Sequence, residues 1–329
     1  MRIDFRNVVR AVPVMLAAAI AFAATGAPAQ AQGYPNRTVR LIVPFGAGGP
    51  ADVYARVLAK YLTDETKQAF VIENRPGAGA LIGTDAVAKS APDGYTLLVM
   101  SNTHTTNESL LSNKPYELMR DFVPVAPINY SDLLMVVHPD VAAKSVAEFI
   151  ALAKKDPGKM NYASSGPGTP YHMAGELFKA MSKTDVVHIP HKASGDARNS
   201  VLAGTVQMMF DAVTTMSELA KAGKVKALAT TGLKRSPLTP DLPTVAETVP
   251  GYEATIWLGV MAPKDTPKDV IAYLNGAINK VINLPEVKEA WLKQGAIPLV
   301  MTPPEFDAYL RKDIDKWAEV VKVSGAKVQ

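Results

Sequence analysis

Short apolar runs alternate with longer amphipathic segments from residue 39 onward. The first run is Val39-Arg40-Leu41-Ile42-Val43, and a glycine-rich turn leads from it into an amphipathic helix near 50–63. The same order returns with a strand at 70–72, a helix near 80–89 and a strand at 95–100. Because strands that alternate with helices form parallel sheets with helices on both faces, this pattern predicts an α/β fold.

The alternation is interrupted by two apolar runs with only a short polar link between them, 122–128 and 133–137. A second series of strands and helices follows. Its helices are predicted near 145–155, 170–182, 194–203 and 214–222, and its strands at 160–163, 186–189, 205–210 and 225–230. A proline-rich, irregular stretch at 234–252 ends the series.

One more strand, 255–261, precedes a tail that the pattern predicts to be wholly helical, with helices near 267–282, 286–293 and 303–323. This is the order of one lobe, a second lobe and a return to the first. The sequence therefore predicts two crossings, near 133–137 and 225–260, with a hinge and a cleft between the lobes. The predicted first lobe is 32–133 with 250–329, and the second is 134–249.

The first 31 residues have the layout of a secretory signal peptide. Arg2, Arg6 and Arg10 precede an apolar run at 11–24, and small-residue cleavage sites end near Ala31. The apolar run is too short to span a bilayer comfortably, and no stop-transfer pattern follows it. We therefore predict that residues 1–31 are removed and that the mature protein is periplasmic.

Charge and residue types exclude several classes of function. The formal net charge of +4 falls to about +2 without the leader, which carries three arginines and one aspartate, so the basic pI does not indicate nucleic-acid binding. The chain has no cysteine, and its five histidines lack a metal-ligand spacing. Nucleophile–base and paired-carboxylate motifs are also absent. We expect a monomer that holds no cofactor or metal and is not an enzyme.

The segment Pro44-Phe45-Gly46-Ala47-Gly48-Gly49-Pro50-Ala51-Asp52 follows a strand and opens a helix. Successive glycines can turn several backbone N–H groups towards one point, and a helix N-terminus adds further donors and a partial positive charge. The segment therefore predicts a site for a carboxylate or phosphate that needs no basic side chain. The predicted ligand-binding residues here are Phe45, Gly46, Ala47, Gly48, Gly49 and Asp52.

The same segment permits a second interpretation. Gly46, Gly48 and Ala51 satisfy the dinucleotide-binding fingerprint, and Glu73 ends the next strand at a suitable distance. A secreted NAD-linked oxidoreductase is therefore an alternative. A lone match of this kind is weak, and nicotinamide cofactors are scarce outside the cytoplasm, so a small-anion site is the favoured interpretation.

A second turn of similar design lies in the other predicted lobe, Ser164-Ser165-Gly166-Pro167-Gly168-Thr169-Pro170. Thr169 is the expected N-cap of the following helix. Two helix starts on opposing lobes could hold one anion between them. We predict ligand contacts from Ser164, Ser165, Gly166 and Thr169.

A third polar segment, 101–107, follows the strand at 95–100 and is predicted to be a loop at the cleft. The carboxyl ends of parallel strands are where α/β proteins bind ligands, so Ser101, Thr103 and Thr105 are predicted to contact one. Lys192 and Asp211 follow strands of the second series and are predicted to do so as well.

These segments resemble the substrate-binding receptors of tripartite tricarboxylate transporters, often called the Bug receptor family. The resemblance extends over almost the whole mature chain and rests on Tyr34-Pro35, 39–43, 44–52, 73–79, 91–97, 164–169, 234–236 and 242–247. It implies a type II periplasmic-binding-protein fold that closes on a small carboxylate and serves membrane transporter subunits. A ligand-sensing receptor for a signalling partner would look the same in sequence.

Two stretches depart from the family's usual residues. His191 and Ala193 stand where tyrosine and glycine are more usual, and the 101–107 segment is rich in threonine and carries His104. Both stretches are predicted to line the far end of the cleft. The ligand could therefore be a dicarboxylate, a tricarboxylate, an amino acid or an aromatic acid.

Overall fold

The computed structural model describes residues 33–191 and 193–324. All of the secondary structure described below belongs to the compact unit that begins at Arg37. The predicted signal peptide and Lys192 lie outside the described residues.

The first sheet has six strands in the order β11-β4-β10-β3-β1-β2. Its strands are β1 (Val39–Val43), β2 (Phe70–Asn74), β3 (Thr96–Ser101), β4 (Phe122–Ser131), β10 (Ile256–Pro263) and β11 (Ala296–Pro298). β1 is parallel to β2 and β3, whereas β10 is antiparallel to both of its neighbours, β3 and β4.

The second sheet has five strands in the order β7-β6-β8-β5-β9. They are β5 (Leu133–Val137), β6 (Met160–Ser164), β7 (Val186–Pro190), β8 (Met208–Ala212) and β9 (Lys226–Thr230). Every residue of β5 is buried, because Leu133 and Met135 face one hydrophobic core while Leu134 and Val136 face another. This is the burial on both faces that a continuous apolar strand predicts.

Eleven α-helices occur in the described ranges. They are α1 (Pro50–Thr66), α2 (Leu81–Ala88), α3 (Asn102–Leu110), α4 (Leu118–Asp121), α5 (Val146–Lys155), α6 (Pro170–Ser182), α7 (Ser194–Leu202), α8 (Val213–Lys221), α9 (Lys268–Ile282), α10 (Pro285–Leu292) and α11 (Pro303–Ser324). Short 3₁₀ turns occur at Ala78–Ala80 and Val245–Glu247.

Both sheets are mixed, whereas the alternation of strands and helices predicts parallel ones. The difference arises at the crossings. A single residue separates β4 from β5, so the chain enters the second sheet directly and β5 runs antiparallel to β8 and β9. The returning strand β10 enters the first sheet in the same reversed sense.

Two further predictions were wrong. The segment 101–107 is not a loop, because α3 begins at Asn102. Ser101 caps this helix, since its hydroxyl accepts from the Thr103 amide and its own amide donates to Nδ1 of His104, at 3.2 Å each. The predicted wholly helical tail also contains a short strand, β11.

Two crossings connect the sheets, at Asp132 and at 231–255. They are tied together at Thr231, whose hydroxyl accepts from the Leu133 amide at 2.8 Å and whose amide donates to the Leu133 carbonyl at 3.0 Å. This pair of hydrogen bonds fixes the position at which the two sheets meet.

The helix α11 forms a third connection, which the sequence pattern does not predict. Phe306 and Leu310 lie in a core of the first sheet, whereas Trp317 and Val320 lie in a core of the second. The predicted first lobe, which includes 250–329, thus ends in turns that pack within the other lobe. The apolar stripe of α11 is simply longer than one core.

Candidate ligand-binding cleft

A cleft of about 760 Å³ lies between the two sheets, a size that suits a small organic solute. Its first wall includes residues 45–51, Tyr54, Ser101, Thr103, Asn129, Ser131 and Asp132. Its second wall includes Pro170, Tyr171, Ser194, Arg198 and Thr215. Most of these positions lie just beyond strand ends or in first helical turns.

The turn between β1 and α1 borders the cleft directly. Gly48 adopts a φ of 78°, a region that side-chain-bearing residues rarely occupy. Gly49 is the extended N-cap of α1, and Pro50 occupies its first turn, where no amide is needed. Within the described protein, the N–H groups of Gly46 and Ala47 meet no acceptor. The turn therefore presents backbone donors to the cleft.

Asp52 lies behind this turn and does not line the cleft. Its carboxylate, 2% exposed, accepts from the Gly48 amide at 2.8 Å and from Arg56 and Asn74 at 2.9 Å. Burial alone would raise the pKa of Asp52, but these hydrogen bonds outweigh it and lower the pKa. Asp52 thus fixes the turn, and the Gly48 amide is already used.

In the turn between β6 and α6, backbone amides donate hydrogen bonds to side chains of the same segment. The Gly166 amide donates to the Ser164 hydroxyl at 3.1 Å, and the Gly168 amide donates to Nδ1 of His172 at 3.0 Å. The Thr169 hydroxyl accepts from the His172 amide and caps α6. The lining of the cleft does not include the four residues predicted here, Ser164, Ser165, Gly166 and Thr169. It does include the next two residues of the chain, Pro170 and Tyr171, in the first turn of α6.

Two histidines whose rings contact each other at a tilt of 30° lie behind this second turn. The His172 and His188 ring centroids are 4.1 Å apart, and Nε2 of His188 lies 2.6 Å from the buried Ser164 hydroxyl. Burial lowers the pKa of His172 to about 4 and that of His188 to about 3. Both rings are therefore neutral at pH 7. Their hydrogen bonds hold the turn in place, and the Ser164 hydroxyl is buried and not exposed as a nucleophile.

Arg198 is a cleft residue that the sequence reasoning missed. Its guanidinium donates through Nε and Nη2 to the two carboxylate oxygens of Asp211, which is fully buried. Asp211 also accepts from the Ala212 amide at 2.7 Å. The predicted contact residue Asp211 therefore lies behind Arg198, and Arg198 faces the cleft. One feature of the sequence could have indicated it: Arg198 lies one helical turn after Ser194, in a helix predicted to begin at the cleft.

The third predicted segment, 101–107, is largely helical, and only part of it faces the cleft. Ser101 and Thr103 line the cleft, but Thr105 does not, because its hydroxyl donates to Asp313 at 2.6 Å. His104 is fully buried beside Thr84, and burial lowers its pKa to about 4. The expectation that His104 lines the cleft was therefore wrong.

His191 and Ala193 are also absent from the lining of the cleft among the described residues. Nε2 of His191 lies 2.6 Å from the Ser200 hydroxyl, which holds the ring against α7. Ser194, the next residue along, does line the cleft. Of the stretch from His191 to Ser194, the described residue that lines the cleft is therefore Ser194.

Two buried polar side chains of the cleft have an atom without a hydrogen-bond partner in the described protein. They are Asn129, through Nδ2, and Asp132, through Oδ1. Burial, followed by repulsion from Glu253, raises the pKa of Asp132 to about 6. Sequence reasoning treated this position as a polar link between two strands.

The dinucleotide interpretation finds no support from Glu73. Its carboxylate lies 2.6 Å from Nε of Arg75 and 3.5 Å from Arg40. Over 33–191 and 193–324, no three acidic, histidine or cysteine side chains are grouped to hold a metal ion. In the same ranges, none of the helices is long and apolar enough to cross a lipid bilayer.

Solved periplasmic solute-binding proteins share this architecture. R. palustris Rpa4515, solved with adipate, has a TM-score of 0.80 and 33% identity, covering 90% of this chain and 100% of that one. MatC from Rhodopseudomonas palustris, with bound malate, has a TM-score of 0.75 and 30% identity, covering 88% and 100%. The fold and its cleft are those of a two-lobed solute-binding protein, as the sequence predicts.

The chain belongs to the tripartite tricarboxylate transporter family receptors, whose family pattern matches residues 54–326. Protein BugT of Bordetella pertussis is 39% identical over 313 residues, which are 94% of this chain and 96% of that protein. The predicted family membership is confirmed.

Proposed function

We propose that this protein is a periplasmic receptor, without catalytic activity, that captures a small carboxylate and delivers it to the membrane subunits of a tripartite transporter. The observation that carries the proposal is the β1–α1 turn, whose free amides and helix start face a cleft of solute size. Relatives of the same fold were solved with adipate and malate, which are both carboxylates.

In this proposal the ligand carboxylate is held by Phe45 to Gly49, with Ser101 and Thr103 beside it. Arg198 contributes a guanidinium from the second wall, and Asp52 and Asp211 act by holding the groups in front of them. Charge-assisted hydrogen bonds of this kind are stronger than neutral ones. Ser164 to Thr169 reach the ligand only if closure brings their turn forward. Thr105 supports α3 from behind.

Binding is proposed to close the two lobes over the ligand. The hinge would lie at Asp132 and at Thr231, where the two crossings are hydrogen-bonded to each other. Residues 32–133 and 250–329 would move against 134–249, with the end of α11 remaining in the second core. Removal of residues 1–31 would release the receptor into the periplasm.

The test is a thermal-shift and calorimetric titration of the mature chain with carboxylates of two to six carbons, aromatic acids and NAD. Each acid is paired with its amide, which has nearly the same shape but no charge. We expect at least one acid to raise the melting temperature while its amide does not. Stabilisation by NAD alone, or equal stabilisation by acid and amide, would refute the proposal.

A further inference from the structure

Asp132 occupies a distinctive position in the fold. It is the single residue between β4 and β5, so it lies at the crossing from one sheet to the other. It lines the cleft and is 6% exposed. Within the described part of the chain it forms no ion pair, and its Oδ1 has no hydrogen-bond partner.

The second crossing leaves room for this carboxylate. A Cβ atom at position 232 would lie 2.5 Å from Oδ1 of Asp132, which is closer than real contacts allow. Gly232 is therefore needed for the carboxylate to be where it is, although its backbone has no positive φ. Any side chain at position 232 would displace the Asp132 carboxylate from this position.

The surroundings of Asp132 do not neutralise it. The groups that act on it are the Glu253 carboxylate, ahead of β10, the Ser236 hydroxyl in the second crossing and the phenol of Tyr130. The cation near this group, Lys316, lies 3.9 Å from the Glu253 carboxylate and forms no ion pair with Asp132. Burial, then Glu253, raises the pKa of Asp132, and Ser236 offsets only part of that rise. At pH 7 the side chain is still mostly ionised, and a buried carboxylate without a counter-charge is costly.

We propose that Asp132 binds the protonated amine of the ligand, so that the solute of this cleft is a carboxylate that also carries an ammonium group. The proposal rests on the proposed function, because the ligand's carboxylate is taken to lie at the β1–α1 turn and Arg198. An ammonium supplies both the donor that Oδ1 lacks and the missing positive charge. A hydroxyl supplies only the donor.

Asn129 adds a complementary group on the same strand. Its Nδ2 is a buried donor without a partner and it lines the same cleft. A donor and an acceptor thus lie three residues apart in sequence, both unsatisfied. A ligand with an acceptor beside its ammonium group would satisfy both, and a plain aliphatic acid would leave the carboxylate unpaired.

The test compares acids that differ only in one substituent. Succinate, malate and aspartate form one set, and glutarate, 2-hydroxyglutarate and glutamate form a second. Each is titrated by calorimetry at pH 7.5 into the mature wild-type protein, Asp132→Asn and Glu253→Gln. The last variant is the control, since it removes a nearby carboxylate that is half-buried and does not line the cleft.

In at least one set, we expect the wild type to bind the amino acid at least tenfold more tightly than the unsubstituted acid. Asp132→Asn should reduce this ratio at least tenfold, chiefly by weakening the amino acid, and Glu253→Gln should keep it within threefold. The wild-type affinity for the amino acid should also fall between pH 7.5 and pH 5, because Asp132 becomes protonated while both carboxylates of aspartate and glutamate stay mostly ionised. This measurement decides the matter even if Asp132→Asn does not fold.

Several results would overturn the inference and leave the receptor proposal intact. They are a wild-type preference for the unsubstituted or the hydroxy acid, or an amino-acid preference that survives Asp132→Asn together with an amino-acid affinity that is unchanged at pH 5. If the wild type binds none of these acids nor any other carboxylate, the proposed function itself fails and the inference fails with it.

Discussion

The two glycine-rich turns of this molecule have similar sequences and opposite hydrogen-bonding states. The β1–α1 turn leaves the Gly46 and Ala47 amides free at the cleft, whereas the β6–α6 turn donates its amides to Ser164 and His172. Glycines thus determine where such a turn can form, but the side chains behind it determine whether its donors remain available.

The two walls of the cleft differ accordingly. The first offers backbone donors from a turn that Asp52 holds in place, and the second offers the guanidinium of Arg198, held by Asp211. In both walls a buried aspartate fixes the donor in front of it. A ligand would therefore meet preorganised donors on both sides, one set from backbone and one from a side chain.

Arg198→Gln should produce the largest effect, because it removes the charged donor of the second wall. A hydrogen bond to a charged group is worth about 1.5–3 kcal/mol, so affinity for the best carboxylate should fall about 10- to 100-fold by calorimetry. Arg235→Gln is the matched control, since Arg235 forms an exposed pair with Glu247. Equal affinities for Arg198→Gln and wild type would mean that the second wall does not recognise charge.

Gly48→Val tests the backbone donors of the first wall. A β-branched residue at this φ of 78° is strained, and relaxing the strain moves the turn. We expect about a tenfold loss of carboxylate affinity, from a strain of roughly 1–2 kcal/mol. Gly223→Val carries the same strain in an open turn that does not line the cleft, and it should bind like the wild type. Similar losses in both variants would point to general destabilisation instead.

His172→Leu tests whether the bonded turn is structural. The change leaves the Gly168 amide without its acceptor, and a buried unsatisfied group costs about 1–3 kcal/mol. Urea unfolding should show this loss, while carboxylate affinity stays within threefold of the wild type. A fall in affinity as large as that of Gly48→Val would show instead that this turn contributes to binding.

The last effect is the pH dependence of that loss, which changes stability and leaves carboxylate affinity unchanged. The pKa of His172 is lowered from 6.5 to about 4 in the folded protein, so the unfolded chain binds the proton first. His172 alone therefore costs the wild type stability as pH falls below about 6.5, by about 2 kcal/mol at pH 5. His172→Leu lacks this loss, and its deficit relative to the wild type should shrink by that amount between pH 7 and pH 5. A constant deficit would mean that the ring titrates normally.

The apolar pattern predicts most elements closely, because buried strands such as β5 are continuous runs and α11 carries a regular stripe. It misplaces α3, since Asn102 to Asn107 are poor helix formers and only the cap from Ser101 and His104 offsets their preference. The glycine pattern leads to the first turn of the cleft. Whether the predicted residues touch a ligand stays a prediction.

Arg198 and Asp132 could not be found in the sequence, because their significance arises from tertiary structure. Arg198 becomes a fixed donor only when β8 brings Asp211 behind it. Asp132 becomes an unpaired charge only because the second crossing places Gly232 and Glu253 against it. Local patterns contain neither relationship.

The helix α11 has a consequence for how this protein unfolds. Trp257 in the first core and Trp317 in the second both donate to the buried carboxylate of Asp313, at 3.2 Å each. Neither core can melt without removing a wall of the other, so two lobes that each have their own sheet should denature as one cooperative unit. Tryptophan fluorescence would then report a single unfolding transition. The helix α11 would be the element that couples the two lobes and makes their folding cooperative.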